Sequence, residues 1–409
     1  MMAMRVAVLG GGLQGACVAL ELASAGIAVD LYDKNDRCLM QASAQNEGKI
    51  HLGYVYANDR TLRTARTMVK GGISFSSLMR RWLGSDIDNI PVSAPFHYVV
   101  HTQSLLGVAE VENHFRASHE IALEESKGMP LDYFGSDYRV PPSRMCQAEC
   151  QSLFDRRLVV AAFKTREVGI DPEILAALVR ARLSADSRIR CILRANVRGV
   201  KQDTRRPTVN FDISGSSASE RYDHVVNTLW DGRLAIDKTA GLEPERPWLY
   251  RVKHYLRLRA PALASTLPST TIVLGAFGDI VAYGDGDFYL SWYPAGMRGT
   301  SSALSPPAWP QILDEAASLE MRRSILAGLT GVVPAVAGLT PDTVEFCQVK
   351  AGIIFAWGDT DINDPASGLH QRHAIGIASR GRYHTIDTGK LTMAPLFGKM
   401  VTERIRQIG

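Results

Sequence analysis

Apolar positions divide the chain into two textures. Residues 4–9 (MRVAVL) form a short apolar run, and after a glycine-rich turn residues 13–25 repeat apolar positions at helical spacing until Gly26 stops them. A second run, residues 27–32, ends at Asp33. Strand, turn, helix and strand in this order predict a parallel sheet. Farther on, Asp171-Pro172-Glu173 supplies an N-cap acceptor and a first-turn proline, and Ile174, Leu175, Leu178, Val179 and Leu183 give the following helix one apolar face. Residues 190–200, 208–213 and 221–228 alternate apolar and polar positions between Gly/Ser/Pro-rich turns and predict strands.

Between residues 250 and 298 the texture changes. Aromatic alternation at 277–280 and 288–293, around the turn Gly284-Asp285-Gly286, predicts an antiparallel sheet inserted into the first lobe. A helix is expected over residues 311–329, with helical and parallel-sheet patterning resuming near 345.

A length of 409 residues calls for two lobes, and 46% hydrophobic residues can fill both cores. The formal charge of +4, without any long like-charge block, excludes a nucleic-acid arm or a disordered tail. The basic residues are mostly arginine, which suits a carboxylate-bearing substrate as well as a genome bias. The cysteines (17, 38, 146, 150, 191, 347) are scattered; Cys146 and Cys150 have no second pair to complete a metal site, so reduced thiols and no metal are expected. The N-terminal apolar stretch is broken by Gly10 to Gly15 and by Glu21, unlike a leader, and no run approaches the roughly 20 apolar residues of a spanning helix. A cytoplasmic location is expected.

Gly10, Gly12 and Gly15 spell G-x-G-x-x-G after a strand and at the opening of a helix. Gly10 allows the tight turn, Gly12 lets backbone approach a pyrophosphate, and Gly15 lets helix and strand pack closely. Asp33, 18 residues past Gly15, stands where a carboxylate can take the ribose hydroxyls. The string points to a dinucleotide without separating NAD from FAD.

Other segments carry a resemblance to a family. Residues 42–54 (ASAQNEGKIHLGY), 167–172 (EVGIDP), 194–197 (RANV), 222–227 (YDHVVN) and 388–392 (TGKLT) follow one another as in the FAD-dependent D-amino-acid oxidase and glycine oxidase superfamily. The first resembles the L-2-hydroxyglutarate oxidase branch and the last the glycerol-3-phosphate dehydrogenase form. The resemblance implies an α/β, Rossmann-like (glutathione-reductase-like) FAD-binding domain from residues 1–80, 165–240 and 345–409. A mostly antiparallel substrate domain is then made by residues 81–164 and 241–344. It places FAD against Gly10, Gly12, Leu13, Gln14, Gly15, Asp33, Lys34, Ser43, Asn46, Gly48, Lys49, Ile50, Val197, Asn227, Thr228, Gly389, Lys390, Leu391 and Thr392. Relatives follow the 222–227 strand with small residues and a glycine, whereas this chain has Thr228-Leu229-Trp230-Asp231-Gly232. The cysteine that tethers flavin in monomeric sarcosine oxidases has no counterpart at 385–395, so the FAD is expected to be non-covalent, with His51 the alternative tether.

The resemblance further implies hydride transfer to flavin N5 from a small anionic substrate, with oxygen or a quinone as electron acceptor. An amino acid or related amine is favoured; a 2-hydroxy acid or glycerol 3-phosphate is the alternative. A flavin-binding protein without turnover is the rival of another class, and an NAD-dependent dehydrogenase is disfavoured by the distant 389–392 loop. His51 is read equally as an acid/base group and as a packed histidine beside the flavin. Arg298, at the end of the aromatic strand, is a candidate carboxylate clamp, as are Arg251, Arg257 and Arg259. Lys390 is expected at the pyrimidine edge of the flavin, before a helix presenting Leu391, Met393, Leu396, Met400 and Ile405. The polar cluster Asp359, Asp361, Asp364, His370, Arg372 and His373 reads as a loop rim.

Overall fold

The structure, a computed structural model, describes residues 4–203, 206–310 and 312–408. The strand Arg5–Leu9 lies inside a six-stranded sheet ordered Gly376–Arg380, Tyr383–Asp387, His224–Asn227, Arg5–Leu9, Ala28–Tyr32, Ile189–Ile192. All neighbours are parallel except the edge strand Gly376–Arg380. Its central strands are apolar and buried on both faces: one face packs under helices, the other against the antiparallel strands of residues 195–221 and the short helix Arg233–Thr239. Helix Leu13–Ser24 covers the first face and packs on the C-terminal helix Ala394–Ile408 and on helix Pro172–Ala185.

The expected strand at 190–200 is two. Arg194 takes a left-handed φ of 54°, and the chain turns there from Ile189–Ile192 in the parallel sheet into Ala195–Lys201, first of a three-stranded antiparallel sheet with Thr208–Ile213 and Ser216–Arg221. Asp171 caps its helix as expected, accepting from the Glu173 and Ile174 amides.

The second layer is a large, mostly antiparallel sheet centred on Trp248–Arg259. That strand pairs over its whole length with Phe346–Trp357, so parallel patterning resumes at Tyr383 rather than near 345. The helix expected over 311–329 is Glu315–Val332; residue 311 lies outside the described residues. Two long helices, Arg63–Leu83 and Val108–Glu125, were not foreseen. The first carries Gly71-Gly72 against the site: a Cβ on Gly72 would strike the His51 carbonyl oxygen. No helix among the described residues is long and apolar enough to cross a membrane.

Candidate functional site

A continuous trench runs along the carboxyl ends of the parallel strands, as two joined cavities with empty volumes of about 1330 Å³ and about 1050 Å³. The larger is lined by Gly10, Asp33, Lys34, Val197 and Asp231, the smaller by Leu13, Asn46, Lys49, His51 and Lys390. Gly12, Ala42, Ser43, Thr228 and Trp230 line both and form the waist between them. Such a site, outside the carboxyl ends of parallel strands, is where open α/β sheets bind dinucleotides.

The glycines explain the shape of the waist. A Cβ on Gly15 would strike the Gly10 carbonyl oxygen, so Gly15 serves helix-strand packing, whereas a Cβ on Gly12 would meet only Ser43 Oγ, at 3.0 Å. Helix Leu13–Ser24 starts at Gly12 without a side-chain cap, and the Leu13 amide donates to Ser43 Oγ at 2.8 Å. The positive helix end therefore faces open space that suits a pyrophosphate. Asp33 is oriented by the Gly11 amide (2.9 Å to Oδ2) and by the Asn35 amide and side chain (each 2.8 Å to Oδ1). Burial raises its pKa while these bonds oppose the rise.

The smaller cavity is built around a two-stranded ribbon, Lys49–Ile50 against Val168–Gly169. The register pairs Lys49 with Gly169 and Ile50 with Val168, so His51 and Glu167 fall opposite each other one step on. Strand alternation turns Lys49 and His51 to the cavity and Ile50 into the core. His51 Nδ1 lies 3.8 Å from Glu167 Oε1, and neither ring nitrogen has a hydrogen-bond partner among the described residues. Burial, then Lys390 and Lys49, hold its pKa well below the ordinary value, so the imidazole is neutral. Glu167 is wholly buried, accepts from the Leu52 amide and the Tyr98 hydroxyl, and has a pKa raised by burial.

Charge gathers around the same cavity. Lys49 Nζ donates to Asp279 Oδ1 at 2.9 Å, Lys390 Nζ lies 3.6 Å from Glu47 Oε1, and Lys253 has no ion pair among the described residues. Burial works against ionisation of Glu47, but Lys390, then Lys253 and Lys49, hold its pKa at about 2. Lys390 is itself lowered by burial, which Glu47 opposes. The closing loop is tied back to the first helix: Thr388 Oγ1 donates to Gln14 Oε1 at 3.1 Å and Gln14 Nε2 to the Ala394 carbonyl at 3.1 Å.

Of the residues expected from sequence, Gly10, Gly12, Leu13, Gln14, Asp33, Lys34, Ser43, Asn46, Lys49, Val197, Thr228, Gly389, Lys390, Leu391 and His51 line the trench. The others stand behind it. Gly15 and Gly48 let backbone segments pack, Ile50 is core, Thr392 accepts from the His51 amide and donates to the Lys49 carbonyl, and the Asn227 amide donates to Arg233, Asp237 and Tyr383.

Arg298 is exposed on Met297–Ser301 and does not line the trench. Arg251 is bound to Tyr293 and Asp361, Arg257 to Asp171, and Arg259 to Asp287 and Glu345. The 359–373 cluster is more than a rim: Asp361 pairs with Arg251, His373 contacts Asp59, and the half-buried Arg372 donates to the Leu369 and Phe355 carbonyls. Sequence reasoning did not assign Lys253, Tyr255, Glu47 or Trp230 to the site, and all four line the smaller cavity. Lys253 was legible, since alternation puts it on one face with Arg251, Tyr255 and Arg257.

The family model described as DAO, FAD dependent oxidoreductase, matches residues 5–404. Similar solved structures include glycine oxidase from Geobacillus kaustophilus (16% identity, 100% of this chain and 96% of that one, TM-score 0.68). L-proline dehydrogenase from P. horikoshii matches at 18% identity over 99% of this chain and 94% of that one, with TM-score 0.67. L-alpha-glycerophosphate oxidase from Mycoplasma pneumoniae, with FAD bound, matches at 14% identity over 100% and 95%, with TM-score 0.65. No curated protein sequence matches.

Proposed function

The chain belongs to the family of FAD-dependent oxidoreductases, and from that premise we propose that it oxidises a small anionic 2-hydroxy acid. The sequence favoured an amine; the neutral His51 at 3.8 Å from Glu167 moves the balance to a hydroxyl. An alcohol must lose a strongly held proton as its C–H bond breaks and so needs a base in place, whereas a free amine does not. Bound FAD supplies the hydride acceptor. His51 Nε2 takes the hydroxyl proton, and the Glu167 carboxyl beside Nδ1 favours the imidazolium that forms. Lys253 anchors the substrate carboxylate by charge. Tyr255 and Tyr289, stacked at 4.5 Å, give the cavity an apolar wall that keeps water from the reacting carbon.

The second reading, a small amino acid, draws on Glu47, an ionised carboxylate in the cavity wall that can accept from a substrate ammonium. Anaerobic titration of the yellow holoprotein with small 2-hydroxy acids, glycerol 3-phosphate and small amino acids decides between them. Bleaching by hydroxy acids alone is expected; bleaching by amino acids alone transfers the assignment to the amine, and no bleaching by any of them overturns both. Adding air or a quinone analogue to the bleached protein then assigns the electron acceptor.

A further inference from the structure

Trp230 occupies the waist of the trench in a conformation that a large residue rarely takes. Its φ is 55°, in the left-handed region where any side chain is strained. The segment around it is tied down on every side. Thr228 Oγ1 donates to the Leu9 and Gly10 carbonyls at 2.8 and 2.9 Å, the Leu229 amide donates to Asn227 Oδ1 at 3.1 Å, and Asp231 pairs with Lys34 across the larger cavity at 3.5 Å. The indole lines both cavities, its Nε1 donates to the Ile353 carbonyl at 2.8 Å, and its ring meets Phe355 edge-on at 6.2 Å. Ile353 belongs to the long strand of the antiparallel sheet, whereas Trp230 follows a strand of the parallel sheet. One side chain thus joins the two sheets where the two cavities meet, in a lining it shares with Gly12 and Ser43.

We propose that Trp230 is a latch over the middle of the bound FAD: the Nε1–Ile353 bond must open for the dinucleotide to enter or leave, and the latch slows both steps. The backbone strain at Trp230 is consistent with a residue kept for this position rather than for local stability. A bulky group that only touched FAD would slow release alone; a latch also slows entry.

The test uses holoprotein and FAD itself. FAD release is followed by the rise of flavin fluorescence on dilution into a flavin scavenger, and FAD uptake by the quenching of that fluorescence on mixing with apoprotein. Trp230→Phe removes the Nε1 donor and keeps a ring; Trp230→Gly removes the side chain and relieves the left-handed backbone. Trp230→Phe is expected to speed release about three- to tenfold, the range of one neutral hydrogen bond, and Trp230→Gly more, with uptake faster in both. Release at the parent rate in both variants overturns the latch, as does faster release with unchanged uptake. A matching fall in the melting temperature of the apoprotein would overturn it too, by making Trp230 a packing residue.

Discussion

Lys390 Nζ stands 3.6 Å from Glu47 Oε1 at the wall of the smaller cavity, two residues of opposite charge brought together from sequence positions near the two ends of the chain. Removing the lysine leaves Glu47 with less of the charge that keeps it ionised. Lys390→Met is expected to retain FAD and to lower its reduction potential by about 30–60 mV, the two-electron equivalent of roughly 1–3 kcal/mol. Equilibration with reference dyes reads the shift directly; a potential equal to the parent's leaves Lys390 without an electrostatic role.

His51 is neutral because burial and two lysines depress its folded-state pKa. The unfolded chain binds this proton near pH 6.5, so the contribution to stability is complete above that value and is lost as pH falls below it. For turnover the sign is the same: the free base persists to well below pH 6.5. The acid limb of kcat/KM should therefore lie below the ordinary histidine range, and His51→Gln should lower kcat by about a hundred- to ten-thousand-fold while keeping FAD. An acid limb at 6.5 in the parent would show an ordinary, unperturbed imidazole.

Lys253 is the lining cation without an ion pair among the described residues. Lys253→Met should raise KM about ten- to a hundredfold with kcat little changed, as expected for a charged anchor that holds substrate and transition state alike. The same kinetics on Arg298→Ala test the anchor suggested by the sequence. An unchanged KM for Lys253→Met would remove it from substrate binding.

The two glycines of the turn should separate fold from cofactor. Gly12→Val is expected to fold and purify colourless, because its side chain enters the waist, while Gly15→Val should fail to fold, because its side chain meets the Gly10 backbone. Yellow Gly12→Val protein with one FAD per chain would misplace the pyrophosphate.

Away from the trench, His224 Nδ1 lies 3.1 Å from His384 Nε2 in a buried stack, His384 Nδ1 lies 2.9 Å from Ser379 Oγ, and Arg382 donates to His224 Nε2. Burial first, then Arg382 for His224, and His224 for His384, lower both pKa values to about 4. Both groups are depressed, so their contribution is present above pH 6.5 and is lost as pH falls from 6.5 to about 4. Each proton taken up on unfolding adds about 1.4 kcal/mol per pH unit to that slope. Denaturant unfolding of His384→Asn across this window should show a shallower slope than the parent; an equal slope would place the protons elsewhere.

What the sequence determined by itself is local. The order of strand, glycine turn, helix and acidic strand end fixes a dinucleotide site, because turn geometry and helix polarity act over a few residues, and the Asp171 cap and the aromatic strands follow from equally short patterns. The tertiary structure decided everything that depends on pairing at a distance. Whether 346–357 belonged to the parallel or the antiparallel sheet rested on a register with 248–259 that no local pattern encodes. The facing of His51 and Glu167 follows from two residue pairs of a short ribbon. Arg251, Arg257 and Arg259, chosen for a substrate carboxylate, found carboxylates of the protein instead, and the cavity-lining cation without an ion pair among the described residues is Lys253, since which charges remain free is a property of the packed molecule.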